Sequence, residues 1–431
     1  METREVARRA LTLLAPGRAA AAPALPRFPG PARAAAAAPR PGPPGRRRAA
    51  RLVGLIALLA AAGAASAAPA APGGAHGAPS RLYVAHALGD TVAQLDAASG
   101  RPVGAPLPAG PLPDQVAPGP GGGLLVLSQA AAHAGEVTLV ARRGEAWTAR
   151  PLAFGAPAGR ALLAAAGGRY AVVAYTAADA DLRAPRCRLA LVDVPAGAVV
   201  GTATVCRPGE RVDAVALAGG PADGAGGGAP GPVAYLAIRP LAPAAPGLPA
   251  GATPRVVAVA AATGRVLAGL PLDGAPSHLV LAAGPAGTGE RVYAVETLAP
   301  APGPDGPDGA YAGRLLGLDP ATLEVRSAAP LARPPLALAV GPDGARAYAL
   351  VGRGDPARGD ALTELDLAAG TARPFATLPE GASGLAVTAA RVYASAPTRD
   401  VVWALDRRTG RRLASLAVGR GPASLALGSP R

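Results

Sequence analysis

His86, His133 and His278, with Asp114, Asp213 and Glu296, are the side chains of this chain best suited to chemistry. Imidazole and carboxylate groups ligate divalent metals, and a histidine beside a carboxylate can work as an acid–base pair. Gln115 and Arg160 would add polar contacts to the same set. These residues are scattered along the chain, so only the fold can bring them together. The competing reading is plain: loops collect polar residues whether or not they bind anything. No local motif decides the matter, because the chain has no GxSxG elbow, phosphate loop, HExxH or CxxCH.

Cys187 and Cys206 are the two cysteines, and they flank Ala196-Gly197 symmetrically. Antiparallel pairing about that turn sets them opposite one another, which predicts a disulfide in an oxidising compartment. A two-residue loop would place the pair at a hydrogen-bonded site, which suits a disulfide less well, so the expectation includes a bulge.

The elements that must position these groups are short. The 431 residues include 58 Gly and 50 Pro, yet half are apolar. The apolar residues fall in brief Val, Leu and Tyr runs between turn signals, the pattern of many strands rather than of disorder. The formal charge of +14 is concentrated near the start: residues 1–51 hold 11 Arg against Glu2 and Glu5. The remainder carries its Arg without a basic run or interleaved aromatics, which removes the case for nucleic acid as a partner.

Arg46, Arg47, Arg48 and Arg51 precede the apolar run 52–64, and Ala65-Ser66-Ala67 matches a signal-peptidase site. The expectation is a signal peptide over 46–67 cleaved after Ala67, with an uncleaved N-terminal anchor as the alternative. No cysteine follows the apolar run, so no lipid anchor is expected. Residues 1–45 read as a disordered extension or as the product of a start site assigned too far upstream. Residues 68–79 read as a flexible linker.

Three elements recur in fixed order through residues 80–431. The first is Arg-x-Tyr in an apolar run, at Arg81, Arg291, Arg346 and Arg391, with Tyr170 and Tyr235 in looser copies. The second is a strand ending in Asp and followed by Gly, as at Asp96 to Gly100, Asp193 to Gly197, Asp366 to Gly370 and Asp406 to Gly410. Asp319 keeps the acid without the Gly, and Ala260 to Gly264 keeps the Gly without the acid. The third is a small or proline residue, two variable positions and an apolar strand, beginning at Pro113, Ala158, Val212, Pro276, Pro335, Ala382 and Pro422. Each unit therefore supplies four antiparallel strands, which describes a blade of an all-β, seven-bladed β-propeller. The body opens on a Tyr strand and ends on a spare inner strand, Pro422 to Leu427, which predicts that the C-terminal strand completes the first blade.

The Tyr strand, the Asp strand and the turn Gly341-Pro342-Asp343-Gly344 resemble the YVTN-type repeat family of exported bacterial propellers, with Tyr83-Val84-Ala85-His86 at the place of its signature. That resemblance implies a fold, an extracytoplasmic compartment and a binding role more than a reaction. In such a ring the variable pairs Asp114-Gln115, Gly159-Arg160, Asp213-Ala214 and Ser277-His278 rim the top of the channel, where inner strands begin. His86, His133 and Glu296 fall on the same side. Insertions at 176–186, 239–254 and 298–313 lengthen loops of that face in three neighbouring blades. The functional expectation is a noncatalytic, monomeric propeller binding a protein, glycan or small molecule through Asp114, Gln115, Arg160, Asp213, His278 and His86, without a cofactor. The alternative is a lactonase-like hydrolase or lyase using His278 with Asp213, Asp114 or Glu296 and a divalent metal.

Overall fold

Short apolar runs interrupted by Gly, Pro and Asp can satisfy their backbone polar groups only by pairing with one another. The computed structural model describes residues 81–428 apart from 120–122, 132–133, 144–145, 153–157, 166–167, 178–185, 220–230, 242–252, 299–311 and 353–358. The expected extension, signal segment and linker lie outside the described residues, as do His133 and most of the three insertions. Everything described belongs to one of the chain's two units, Ala49–Arg431.

The described strands form seven four-stranded antiparallel sheets, each built from strands consecutive in the chain except the first. In that sheet Arg81–His86, Thr91–Asp96 and Leu107–Pro108 are joined by the last strand, Pro422–Gly428. Leu82 faces Leu427, Tyr83 faces Ala426 and Val84 faces Leu425, so the ring closes by the register the repeat phase required. The inner strands of the second to seventh blades are Pro113–Pro118, Ala158–Ala165, Glu210–Ala218, Ala275–Ala283, Ala337–Val340 and Gly384–Val387. The sixth starts later than Pro335, although the Leu336 N–H still donates to the Leu350 carbonyl at 2.6 Å. The fourth starts earlier than Val212 because Glu210 already pairs with Pro240.

Among the described residues the core is divided rather than central. Seven buried clusters lie one between each pair of neighbouring blades. The cluster across the seam joins Tyr393, Val402 and Ala386 of the seventh blade to Leu82, Val84 and Leu425 of the first. A blade alone would leave both faces wet; the ring buries each against its neighbour.

The expected disulfide is present in the third blade, between Cys187 and Cys206, with Cα atoms 5.2 Å apart. The expected bulge is present too. Val192 faces Val199 but Leu191 faces Gly201, leaving Val200 as the extra residue. The ladder beyond it brings the Cys187 carbonyl to the N–H of Val205 at 3.0 Å, so the bond runs diagonally to the next residue. Such a bond is compatible with an extracytoplasmic location.

Candidate functional site

The inner strands bulge where the two variable positions stand. Pro113 faces Ser128 and Gln115 faces Leu127, so Asp114 is the unpaired residue. Asp213 is skipped in the same way between Val212 and Ala214, and Ser277 between Pro276 and His278. The first and third blades carry the irregularity at the same place. A bulge bends a strand and re-aims the side chains beside it. Here it turns the second rim position sideways, into the next blade.

Gln115 is fully buried; its Oε1 accepts from Leu163 N–H at 3.0 Å and its Nε2 donates to the Ala161 carbonyl at 3.4 Å, both on the third blade's inner strand. Ser424, at the equivalent place in the first blade, accepts from Val116 N–H of the second at 3.0 Å. His278 of the fifth blade sits with Nε2 3.3 Å from the Leu336 carbonyl of the sixth and Nδ1 2.9 Å from Ser277 Oγ. The carbonyl requires the proton on Nε2, which leaves Nδ1 to accept from the hydroxyl. Gln115 and His278, both expected at the rim, and Ser424 at the equivalent position thus stitch adjacent blades together.

His86 and Glu296 occupy equivalent places on their Tyr strands, facing Pro422 and Pro276 respectively. Both hold the backbone that leads into their own blade's inner strand. Gly419 N–H donates to His86 Nε2 at 3.1 Å, so Nδ1 carries the proton and donates to Thr91 Oγ1 at 3.0 Å. Burial holds the ring's pKa below the ordinary histidine value, against the opposing pull of Asp400. A Cβ on Gly419 would collide with the His86 ring, so this contact needs glycine. Glu296 accepts from Gly274 N–H at 2.6 Å and pairs with Arg314 Nε. Asp360, which sequence reasoning did not single out, does likewise for Gly381 and Ala382, both at 2.9 Å.

The acids of this face are matched by arginines that sequence reasoning also passed over. Asp213 lies between Arg211 and Arg239, which are cross-strand partners. Arg314 is the cross-strand partner of Glu296 and also reaches Asp273 at 2.9 Å. Its hydrogen bond to Glu296 raises the guanidinium's pKa further. Glu210 forms a two-point pair with Arg255, at 2.5 and 2.8 Å. Burial works to raise the Glu210 carboxyl, but Arg255 and the Arg207 N–H outweigh it and hold it below the usual range. The only signal for these pairs is register, which a sequence with variable loops conceals.

The structure therefore places Gln115, Asp213, His278, His86 and Glu296 at the top of the ring but spreads them over its blades. Asp114 is half-buried there, and the Arg160 side chain lies outside the described set. Among the described residues no three His, Cys, Asp or Glu side chains group as metal ligands would. What the fourth and fifth blades do present is guanidinium: Arg211, Arg239 and Arg314 remain 32, 35 and 37% exposed while Asp213 and Glu296 are buried, although Arg314 also holds the exposed Asp273.

No family model matches the chain, and no curated protein does, so the YVTN-type likeness rests on the repeat residues alone. Among solved structures, dihydro-heme d1 dehydrogenase NirN in complex with DHE has a TM-score of 0.50 at 15% identity, covering 83% of this chain and 77% of its own. AztD from Citrobacter koseri has a TM-score of 0.49 at 16% identity, covering 81% of this chain and 98% of its own. The hydrazine synthase of Kuenenia stuttgartiensis has 0.40 at 14%, covering 83% and 91%. At these identities the likeness extends to the fold and no further.

Proposed function

We propose that this chain is an exported, noncatalytic β-propeller that binds its ligand on the top face, above the fourth and fifth blades. The observation that carries the reading is the employment of the candidate catalytic groups. Both ring nitrogens of His86 and of His278 are engaged in contacts that hold the blades and their connections. Glu296 and Asp213 are neutralised by arginine. The groups facing outward include Arg211, Arg239 and Arg314, with the exposed Asp273 beside Arg314, and the excess of guanidinium favours a ligand offering carboxylate, phosphate or sulfate oxygens, whether on a protein, a glycan or a small molecule. The insertions flanking Arg239 and Arg314 begin and end at this patch.

Metal content by mass spectrometry and turnover across a lactone-hydrolase and lyase panel test this reading, with His278→Ala as the variant. The expected result is no stoichiometric metal and no turnover, with the His278→Ala protein losing melting temperature only. A bound divalent ion at one per chain, or turnover that His278→Ala abolishes, would replace it with the lactonase-like alternative.

A further inference from the structure

A cleft of about 650 Å³ lies between the fifth and sixth blades, lined chiefly by the two outer strands of the sixth. The outer hairpin that lines it departs from the pattern of four other blades. In the third, fourth, fifth and seventh blades the outer hairpin bulges directly after its turn, at Val200, Leu267, Arg326 and Leu413. The sixth blade delays its bulge to Phe375, so that Thr363 faces Pro374 while Leu362 faces Ala376. The Phe375 ring turns the other way, packing edge-on to Tyr348 with centroids 5.0 Å apart. Small residues remain on the face toward the fifth blade.

Leu331, Val351 and Pro374 supply apolar wall, and Arg333, Thr363 and Thr377 supply polar groups. Among the described residues the lining contains no acid, and its other guanidinium, that of Arg373, is paired with Glu364. Among the described residues the side chains of Arg333, Thr363 and Thr377 have no hydrogen-bond or ion-pair partner. One unneutralised guanidinium and two unclaimed hydroxyls beside apolar wall, in a volume typical of small-molecule sites, are the groups that hold a carboxylate whose remainder is apolar. We propose that this cleft is a second binding site, for a small organic carboxylate. Arg333 takes the carboxylate, the threonines supply further donors, and the apolar body lies against Leu331, Val351 and Pro374.

Isothermal titration of the full chain with 2-naphthoate tests this, with 2-naphthylmethylammonium as the opposite-charge control. The variants are Arg333→Glu, which reverses an exposed charge without breaking any contact, and Ala372→Trp, which fills the cleft from an exposed position of the lining. Naphthoate should bind at one per chain; Arg333→Glu should weaken it about tenfold or more through the loss of a charge-assisted hydrogen bond, and Ala372→Trp should weaken it about as much by occupying the cleft. The ammonium should bind at least about tenfold more weakly than the carboxylate. Equal binding of the two probes, naphthoate binding that neither variant changes, or no saturable binding up to about 10 mM, a Kd worth under about 3 kcal/mol, would overturn the site. Arg211, Arg239 and Arg314 are untouched in both variants, so the outcome is separable from that of the top-face reading.

Discussion

Two tyrosines at equivalent places in the repeat predict opposite outcomes. Tyr393 reaches across the seam to donate to the Ala97 carbonyl at 2.9 Å, as Tyr235 does to Pro320 at 2.9 Å. The Tyr293 hydroxyl is buried with no partner among the described residues, and burial lifts its pKa to about 12. Removing a satisfied hydroxyl costs about 1 kcal/mol, whereas removing an orphaned one is neutral or stabilising. Thermal or urea melts should therefore show Tyr393→Phe less stable than wild type and Tyr293→Phe equal or more stable; the reverse order would refute the assignment. His86 adds a pH effect. Its folded pKa lies below the unfolded value near 6.5, so its contribution is complete above that pH and is lost as pH falls toward the folded value. A proton added to Nε2 would face the Gly419 N–H. His86→Gln should flatten the fall in melting temperature between about pH 7.5 and 5.5; an unchanged slope would exclude His86 as its source. The tyrosines were legible as markers of the repeat. Where their hydroxyls go was not, since the partners of Tyr393 and Tyr235 sit in the next blade's turn.

Hairpin turns carry the argument at the level of the element. Asp96, Asp193, Asp319, Asp366 and Asp406 each accept from N–H groups of their own turn, and each is held below the usual carboxylate range. For Asp96 and Asp406 the chief cause is the hydroxyl of Ser99 or Thr409, for Asp193 it is Arg169, and for Asp319 and Asp366 it is turn N–H. Their stabilisation is present above the unfolded carboxylate pKa and is lost as pH falls through the lower folded values, a second acid limb below that of His86. Sequence reading found the Arg-x-Tyr and Asp-Gly elements separately. Register makes them one device, because Arg81 faces Asp96, Arg346 faces Asp366 and Arg391 faces Asp406. The two imperfect copies are informative. Gly264 closes its turn at φ 70° onto the Ala260 carbonyl, but no carboxylate meets the turn N–H groups. Ala260→Asp should raise stability by about 0.5–1 kcal/mol by supplying that acceptor. Leu323 stands at φ 59° where the other copies have glycine, and its side chain is buried in the cluster between the fourth and fifth blades. A left-handed leucine is strained by about 1–2 kcal/mol, but truncating a buried leucine costs about 2–5. Burial wins, so Leu323→Gly should destabilise; a gain in melting temperature would mean that strain dominates.

At the level of the molecule, fold and site were unequally legible. The ring, the seam and the disulfide follow from repetition and spacing, which sequence displays directly. The work of the polar rim depends on bulges that swing Gln115, His278 and Ser424 sideways, and spacing alone cannot show which way a bulged strand points. The seam puts the whole architecture to one test. Pro422–Gly428 pairs with Arg81–His86, buries Leu425 and Ala426, and supplies Ser424 Oγ to Val116 and the Ala423 carbonyl to Ser395 at 2.6 Å. Without it the first blade exposes a strand edge, and the clusters on either side open to water, since the seventh blade's cluster includes Leu425 and the second blade's includes Ala426. Leu425→Ala should cost about 2–5 kcal/mol as a buried leucine. Deleting residues 420–431 removes that side chain, the ladder and both cross-blade hydrogen bonds together, so the loss in melting temperature should exceed that of Leu425→Ala. A ring also transmits the damage. Each blade is stable only between two neighbours, so an open seam frees the first and seventh blades to unfold before the rest. Hydrogen exchange should show protection lost first in those two blades and retained in the fourth, farthest from the seam. Uniform loss, or a deletion variant as stable as the full chain, would show that the last strand does not hold the ring closed.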